Sequence, residues 1–186
     1  MKNKNKKLLD KIEIIDSSED IFMKFNYVFN KMSVKIITFL NHHAVNLASK
    51  DDEFYNLLLN SDILYRDGIG IKIACMVNKI KPGLNMNGTD FIPMLLDRYR
   101  KKKLAIFGGE SQTIQKFFEL YSSKYNIVSY MDGYNDHDLY FKELNEVKPE
   151  ILFISMFLGL GGVLVLINSF SDDDDDSDND GGTYIY

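Results

Sequence analysis

The chain has 186 residues, 45% of them hydrophobic and 13% aromatic, which supports one globular domain with a substantial core and excludes an intrinsically disordered protein. Its formal net charge of −5 is unevenly spread, with four lysines in the first seven residues and seven aspartates in residues 172–180. No broad basic face remains, so nucleic acid is not an expected partner. The single Cys75 excludes an intramolecular disulfide and, with only three histidines, leaves no cysteine-rich zinc site. A cytoplasmic location is expected, because Asp10, Glu13, Asp16, Glu19 and Asp20 interrupt any signal-peptide run after the first lysines.

Residues 6–32 alternate charged and apolar positions at helical spacing, and Ser17-Ser18-Glu19-Asp20 offers a helix start, so residues 1–32 read as a helical lead-in. Val34 to Leu40 is β-branched and apolar, as a buried strand should be, and it ends at Asn41-His42-His43. The two histidines are sequence neighbours that point apart with no third ligand close by, so no metal is assigned to them. Residues 44–60 carry one or two helices, with Asp51, Asp52 and Glu53 suited to the positive start of the second. A short strand then runs to Arg66 and out into Asp67-Gly68-Ile69-Gly70. A carboxylate just beyond a strand's carboxyl end is where an open parallel sheet meets its ligands, although Asp-Gly is also a common turn dipeptide.

Ile69–Val77 reads as a short apolar helix, and Asn87-Gly88-Thr89-Asp90 opens the next, with Thr89 or Asp90 as the expected cap. Lys103 to Phe107 is a strand stopped by Gly108-Gly109, and Ser111 begins an amphipathic helix to about residue 124. Residues 126–131 form a strand ending in Asp132-Gly133-Tyr134, residues 138–147 a helix, and residues 150–155 a further strand. This alternation predicts an α/β domain over 33–156, a Rossmann-like parallel sheet flanked by helices. A nicotinamide-dependent oxidoreductase is an alternative at the level of fold, yet neither Gly108-Gly109 nor Gly68-Ile69-Gly70 supplies the third glycine of a dinucleotide fingerprint.

Taken together, Thr38-Phe39-Leu40-Asn41, Asp67-Gly68-Ile69-Gly70, Asn87-Gly88-Thr89-Asp90, Phe107-Gly108-Gly109, Asp132-Gly133-Tyr134 and Lys148-Pro149-Glu150-Ile151-Leu152 resemble the WecG/TagA/CpsF family of bacterial glycosyltransferases. The resemblance spans about residues 30–156. It implies transfer of a sugar, often N-acetylmannosamine or its uronate, from a UDP-sugar donor to an undecaprenyl-diphosphate-linked acceptor. The products in such a family are teichoic-acid linkage units or other cell-surface polysaccharides. Asp67 is implied as the general base, with Thr38 and Asn41 lining the pocket. Gly68, Gly88, Thr89 and Asp90, with Gly108, Gly109, Gly133 and Tyr134, are the implied nucleotide-side residues. No metal or other cofactor is expected, and helix starts and backbone N–H groups would then stabilise the diphosphate. The acceptor implies peripheral contact with the inner face of the membrane; the resemblance leaves oligomeric state open.

Two departures stand out. Many members carry an arginine where this chain has Asn85. After Met156 the family pattern of a glycine, a Pro-Lys-Gln-Glu motif and a basic end gives way to an apolar segment over 157–170 and an acidic tail over 171–186. The expectation is a truncated or frame-shifted end, with impaired or absent transfer and no further sheet pattern. Residues 151–167 hold 17 consecutive uncharged residues, the lower limit for a membrane span, although three glycines and a strand-like first half oppose one. Asp176, Asp178, Asp180 and Gly181 have calcium-loop spacing without the closing glutamate, so a disordered, solvated tail is expected there.

Overall fold

A computed structural model describes residues 2–29, 34–155 and 162–166. The lead-in forms helices α1 (Lys2–Lys11) and α2 (Ser18–Phe29). Strand β1 (Lys35–Leu40) is followed by α3 (His42–Ala48) and α4 (Asp52–Asn60), and β2 (Ile63–Arg66) by α5 (Ile69–Val77) and α6 (Gly88–Arg98). Then come β3 (Leu104–Gly108), α7 (Ser111–Tyr121), β4 (Ile127–Met131), α8 (His137–Val147), β5 (Ile151–Ser155) and β6 (Gly162–Leu166).

Local chemistry starts these helices. At α2 the Ser17 hydroxyl accepts from the Asp20 amide while the Asp20 carboxylate accepts from the Ser17 amide at 2.8 Å, a reciprocal capping box. Asn41 caps α3 and Asp51 caps α4 through the amides of Ala44 and Phe54. The cap of α6 is Asn87, whose Oδ1 accepts from the Asp90 amide at 2.7 Å, not Thr89 or Asp90. Gly88, Thr89 and Asp90 instead form the helix's first turn, because a cap residue needs extended backbone outside the helix and Asn87 supplies it.

The six strands form one sheet in the order β2-β1-β6-β5-β3-β4. Strands β1 and β2 pair in parallel, as do β4, β3 and β5, whereas β6 runs antiparallel to both β1 and β5. The expected absence of sheet beyond Met156 is therefore corrected. Only six residues separate β5 from β6; a parallel return needs a crossover of a dozen or more residues, so so short a connection permits only the antiparallel sense. This also removes the membrane-span reading of 151–167, since both ends of that stretch are strands, and no helix among the described residues is long and apolar enough to cross a membrane. The acidic tail lies outside the described residues.

Alternation along the strands builds two cores. Ile37, Phe39, Ile63, Tyr65, Leu104, Ile106 and Ile151 face a cluster with Phe91, Leu95 and Ile114 from α6 and α7. On the other face, Leu40 and Leu64 pack with residues of α1, α3, α4 and α5, while Ala105, Phe107 and Leu152 meet Tyr140 and Leu144 of α8. The sheet is thus covered on both sides, the condition for near-continuous apolar strands. Connections from β1 lead to one sheet edge and those from β3 to the other, so strand order reverses between them, and ligands of open α/β sheets bind at such a reversal.

Candidate active site

The parallel register pairs Phe39 with Tyr65 and Leu40 with Arg66. The next residues along, Asn41 and Asp67, leave the sheet side by side, with the Asp67 amide bonded to the Leu40 carbonyl at 2.9 Å. Asn41 divides its amide between two tasks. Its Oδ1 accepts from the Ala44 amide at 2.8 Å as the cap of α3, and its side chain donates to the Asp67 carboxylate. Burial pushes the Asp67 carboxyl above its ordinary value, opposed by the Asn41 hydrogen bond and by the charges of Arg66 and His42. The result is an oriented, partly desolvated carboxylate at the start of α5.

Thr38 does not join this pair. It is fully buried, and its hydroxyl donates to Ser61 Oγ at 2.9 Å, whose own hydroxyl donates to the Leu58 carbonyl. The reason is parity: Thr38 and Asn41 are three residues apart, and side chains in a strand alternate faces with period two. Thr38 therefore ties the middle of β1 to the start of β2, away from the end where Asp67 emerges.

Beneath Asp67 lies a group that sequence reading passed over. Arg66 is only 4% exposed, yet among the described residues its guanidinium meets no carboxylate in a hydrogen bond. Nε donates to the Pro82 carbonyl at 2.8 Å, Nη1 to Gly68 O at 3.0 Å and Asn85 Oδ1 at 3.1 Å, and Nη2 to Gly83 O at 3.2 Å. Asn85 Oδ1 also accepts from the Gly68 amide at 2.8 Å, and the Arg66 carbonyl accepts from Met86 N. Cationic charge at this point thus comes from strand β2, and Asn85 couples it to the Asp67-Gly68 turn. The available signal was an arginine closing an otherwise apolar strand, Ile63-Leu64-Tyr65-Arg66. A buried charge needs several partners, and the carbonyl-rich loop after α5 supplies them.

The remaining sequence-derived residues gather at the ends of β3 and β4. Gly108 and Gly109 hold φ values of 103° and 77°, a region that favours glycine. The Gly133 amide donates to Gly109 O at 2.9 Å, tying the two turns. The Ser111 hydroxyl donates to Asp132 Oδ2, and Asp132 Oδ1 accepts from the Tyr134 amide at 3.0 Å. These two bonds hold the Asp132 carboxyl below its ordinary value. Tyr134 is exposed and borders an open depression of about 760 Å³, lined also by Asn135, His137, Leu139 and Lys142. Three strand spacings separate β1 from β3, roughly 14 Å. The structure therefore presents two clusters on one edge of the sheet, one around Asp67 and one around Gly109.

A sequence profile described as the Glycosyl transferase WecG/TagA/CpsF family matches residues 12–159. The chain belongs to that family. As a WecG/TagA/CpsF member it is 27% identical over 141 residues to a Bacillus subtilis (strain 168) protein named N-acetylglucosaminyldiphosphoundecaprenol N-acetyl-beta-D-mannosaminyltransferase. That alignment covers 73% of this chain and 55% of the relative, so the chain spans about half the relative's length. The matched region takes in β1 to β5 and both strand-end clusters.

Proposed function

We propose that this chain is the catalytic part of a glycosyltransferase that moves an N-acetylmannosamine-type sugar from a UDP-sugar to an undecaprenyl-diphosphate-linked acceptor, in cell-surface polysaccharide or teichoic-acid synthesis. The observation that carries the reading is the Asn41–Asp67 pair at the strand ends. An acceptor hydroxyl attacking the anomeric carbon forms the new C–O bond and gives its proton to Asp67; the bond to the UDP oxygen breaks and UDP leaves with that electron pair. A carboxyl lifted above its ordinary pKa by burial suits this step, because its affinity for the incoming proton rises. Asn41 orients the carboxylate.

The donor diphosphate is assigned to the starts of α5 and α6, after the Gly68 cap and at Gly88 and Thr89, where backbone N–H groups favour anions. Gly108, Gly109, Gly133 and Tyr134 are assigned to the nucleotide. The reading includes no metal, so chelation is expected to leave transfer unchanged. Its test is UDP release with a lipid-linked N-acetylglucosamine acceptor. Asp67→Asn should lower turnover about 10²–10⁴-fold with UDP binding retained. Unchanged turnover in this variant would remove Asp67 from the mechanism.

A further inference from the structure

Helix α5 is apolar on two opposite faces. Ile71 and Cys75 are buried against the sheet with Leu40 and Leu64, while Ile69, Ile73, Met76 and Val77 are 67%, 55%, 60% and 77% exposed. At about 100° per residue these four occupy one arc of roughly 100°, opposite the buried one. A surface helix normally turns polar residues outward, so this stripe is an apolar face open to a partner. From Gly68 to Thr89 the sequence has no aspartate or glutamate and three lysines, Lys72, Lys79 and Lys81, in a chain that is acidic overall. Lys81 pairs with Asp16 at 2.6 Å; Lys72 and Lys79 are exposed and make no ion pair among the described residues.

We propose that the Ile69/Ile73/Met76/Val77 face of α5, flanked by Lys72 and Lys79, is the surface by which this protein docks on an anionic lipid bilayer. An apolar stripe with a basic flank and no acid has the chemistry of an interfacial helix, whose apolar side enters the headgroup boundary while lysines meet lipid phosphates. At nine residues, roughly 14 Å long, the helix can lie in that boundary but cannot cross it. A second copy fits the same face poorly, since self-pairing brings both sets of lysines together with no acid in the segment to meet them.

Position favours the lipid as well. Gly68 caps α5 directly after Asp67, and a Cβ on Gly70 would stand 3.6 Å from His42 Cβ, so the stripe begins within a turn of the Asn41–Asp67 pair. Resting on the proposed transfer to a lipid-linked acceptor, the docking surface places Asp67 next to the headgroup layer from which that acceptor projects.

The test is co-sedimentation of the full chain with phosphatidylcholine vesicles with and without phosphatidylglycerol. Binding is expected only to the anionic vesicles and should weaken with salt. Ile73→Glu with Met76→Glu should abolish it, with thermal melting unchanged because both side chains are exposed. Lys72→Ala with Lys79→Ala should weaken it roughly thirtyfold, about fivefold per lysine. Asp67→Asn should bind like the parent, so failure of the transferase reading and failure of the docking surface show up separately. The proposal is overturned if the parent ignores anionic vesicles, if the double glutamate variant binds equally, or if light scattering shows a dimer that this variant dissociates with vesicle binding unaltered.

Discussion

Replacing Arg66 by methionine removes four hydrogen bonds at once, to Pro82, Gly83, Gly68 and Asn85. Each hydrogen bond from a charged donor contributes about 1.5–3 kcal/mol, so a simple sum reaches roughly 6–12 kcal/mol. Two effects reduce that figure. Pro82 and Gly83 are partly exposed and Asn85 is exposed, so water can reach the abandoned acceptors, and the cost of burying the guanidinium disappears with it. A net loss of about 3 kcal/mol follows, equivalent to roughly 6–12 °C in a chain of this size. Arg66→Lys keeps the charge but not the planar fork and should lose about half as much. Urea unfolding followed by circular dichroism measures both as shifts of midpoint at constant slope. The Gly68 amide, bonded to Asn85 Oδ1, should also exchange faster with deuterium in Arg66→Met. A loss under about 0.5 kcal/mol, or a lysine variant equal to the parent, would show that the guanidinium does not hold the loop.

Three further outcomes follow from the geometry. Gly83→Ala should destabilise by about 2–3 kcal/mol, because Gly83 has φ +58° and a Cβ would lie 2.7 Å from the Ile15 carbonyl oxygen; a melting curve unchanged from the parent would contradict this. Thr38→Val should cost about 1 kcal/mol of stability through its lost bond to Ser61 and leave turnover unaltered, and a selective fall in turnover would instead return Thr38 to the pocket. Asn41→Ser keeps a capping oxygen for α3 but loses the bond that lowers the Asp67 pKa, so the acid limb of the kcat/KM profile should move to higher pH. The stability sign is the reverse of the usual carboxylate case. Burial raises the folded pKa of Asp67, so its contribution falls as pH climbs from the unfolded value through the folded one. Asp67→Asn should therefore be more stable than the parent at neutral pH, and an equal or lower urea midpoint would count against that sign.

Much of the architecture was readable because strands such as Lys35–Leu40 and Leu104–Gly108 are buried on both faces and appear as short apolar runs closed by polar or glycine residues. Strand β6 escaped because Gly162–Leu166 sits in a glycine-bearing apolar stretch with no alternation, and its slot between β1 and β5 depends on partners over a hundred residues away in one case. Asp67 and Asn41 could be singled out from their places after strands, but their hydrogen bond depends on register, which local sequence does not encode. Strand parity alone would have separated Thr38 from Asn41. Arg66 could not be recognised as buried without the loop at 82–85 that folds over it. The choice of Asn87 as cap over its neighbours turned on one residue of helix boundary, the least legible feature of a helix.

The placement of β6 also bears on how the molecule assembles. Without it the sheet is two pieces, β2-β1 and β5-β3-β4, with no backbone ladder between them. The strand that joins them leaves the ribosome after both pieces it connects, and its pairing of Leu166 with Lys35 closes a chain segment of more than a hundred residues. Such distant pairing is slow, since the loop entropy is lost before the contacts form. Until residues 162–166 arrive, β1 and β5 each present an open edge able to recruit strands from other chains. Synthesis slowed just before that point should therefore favour aggregation, and a short peptide spanning β6 added in trans should suppress it.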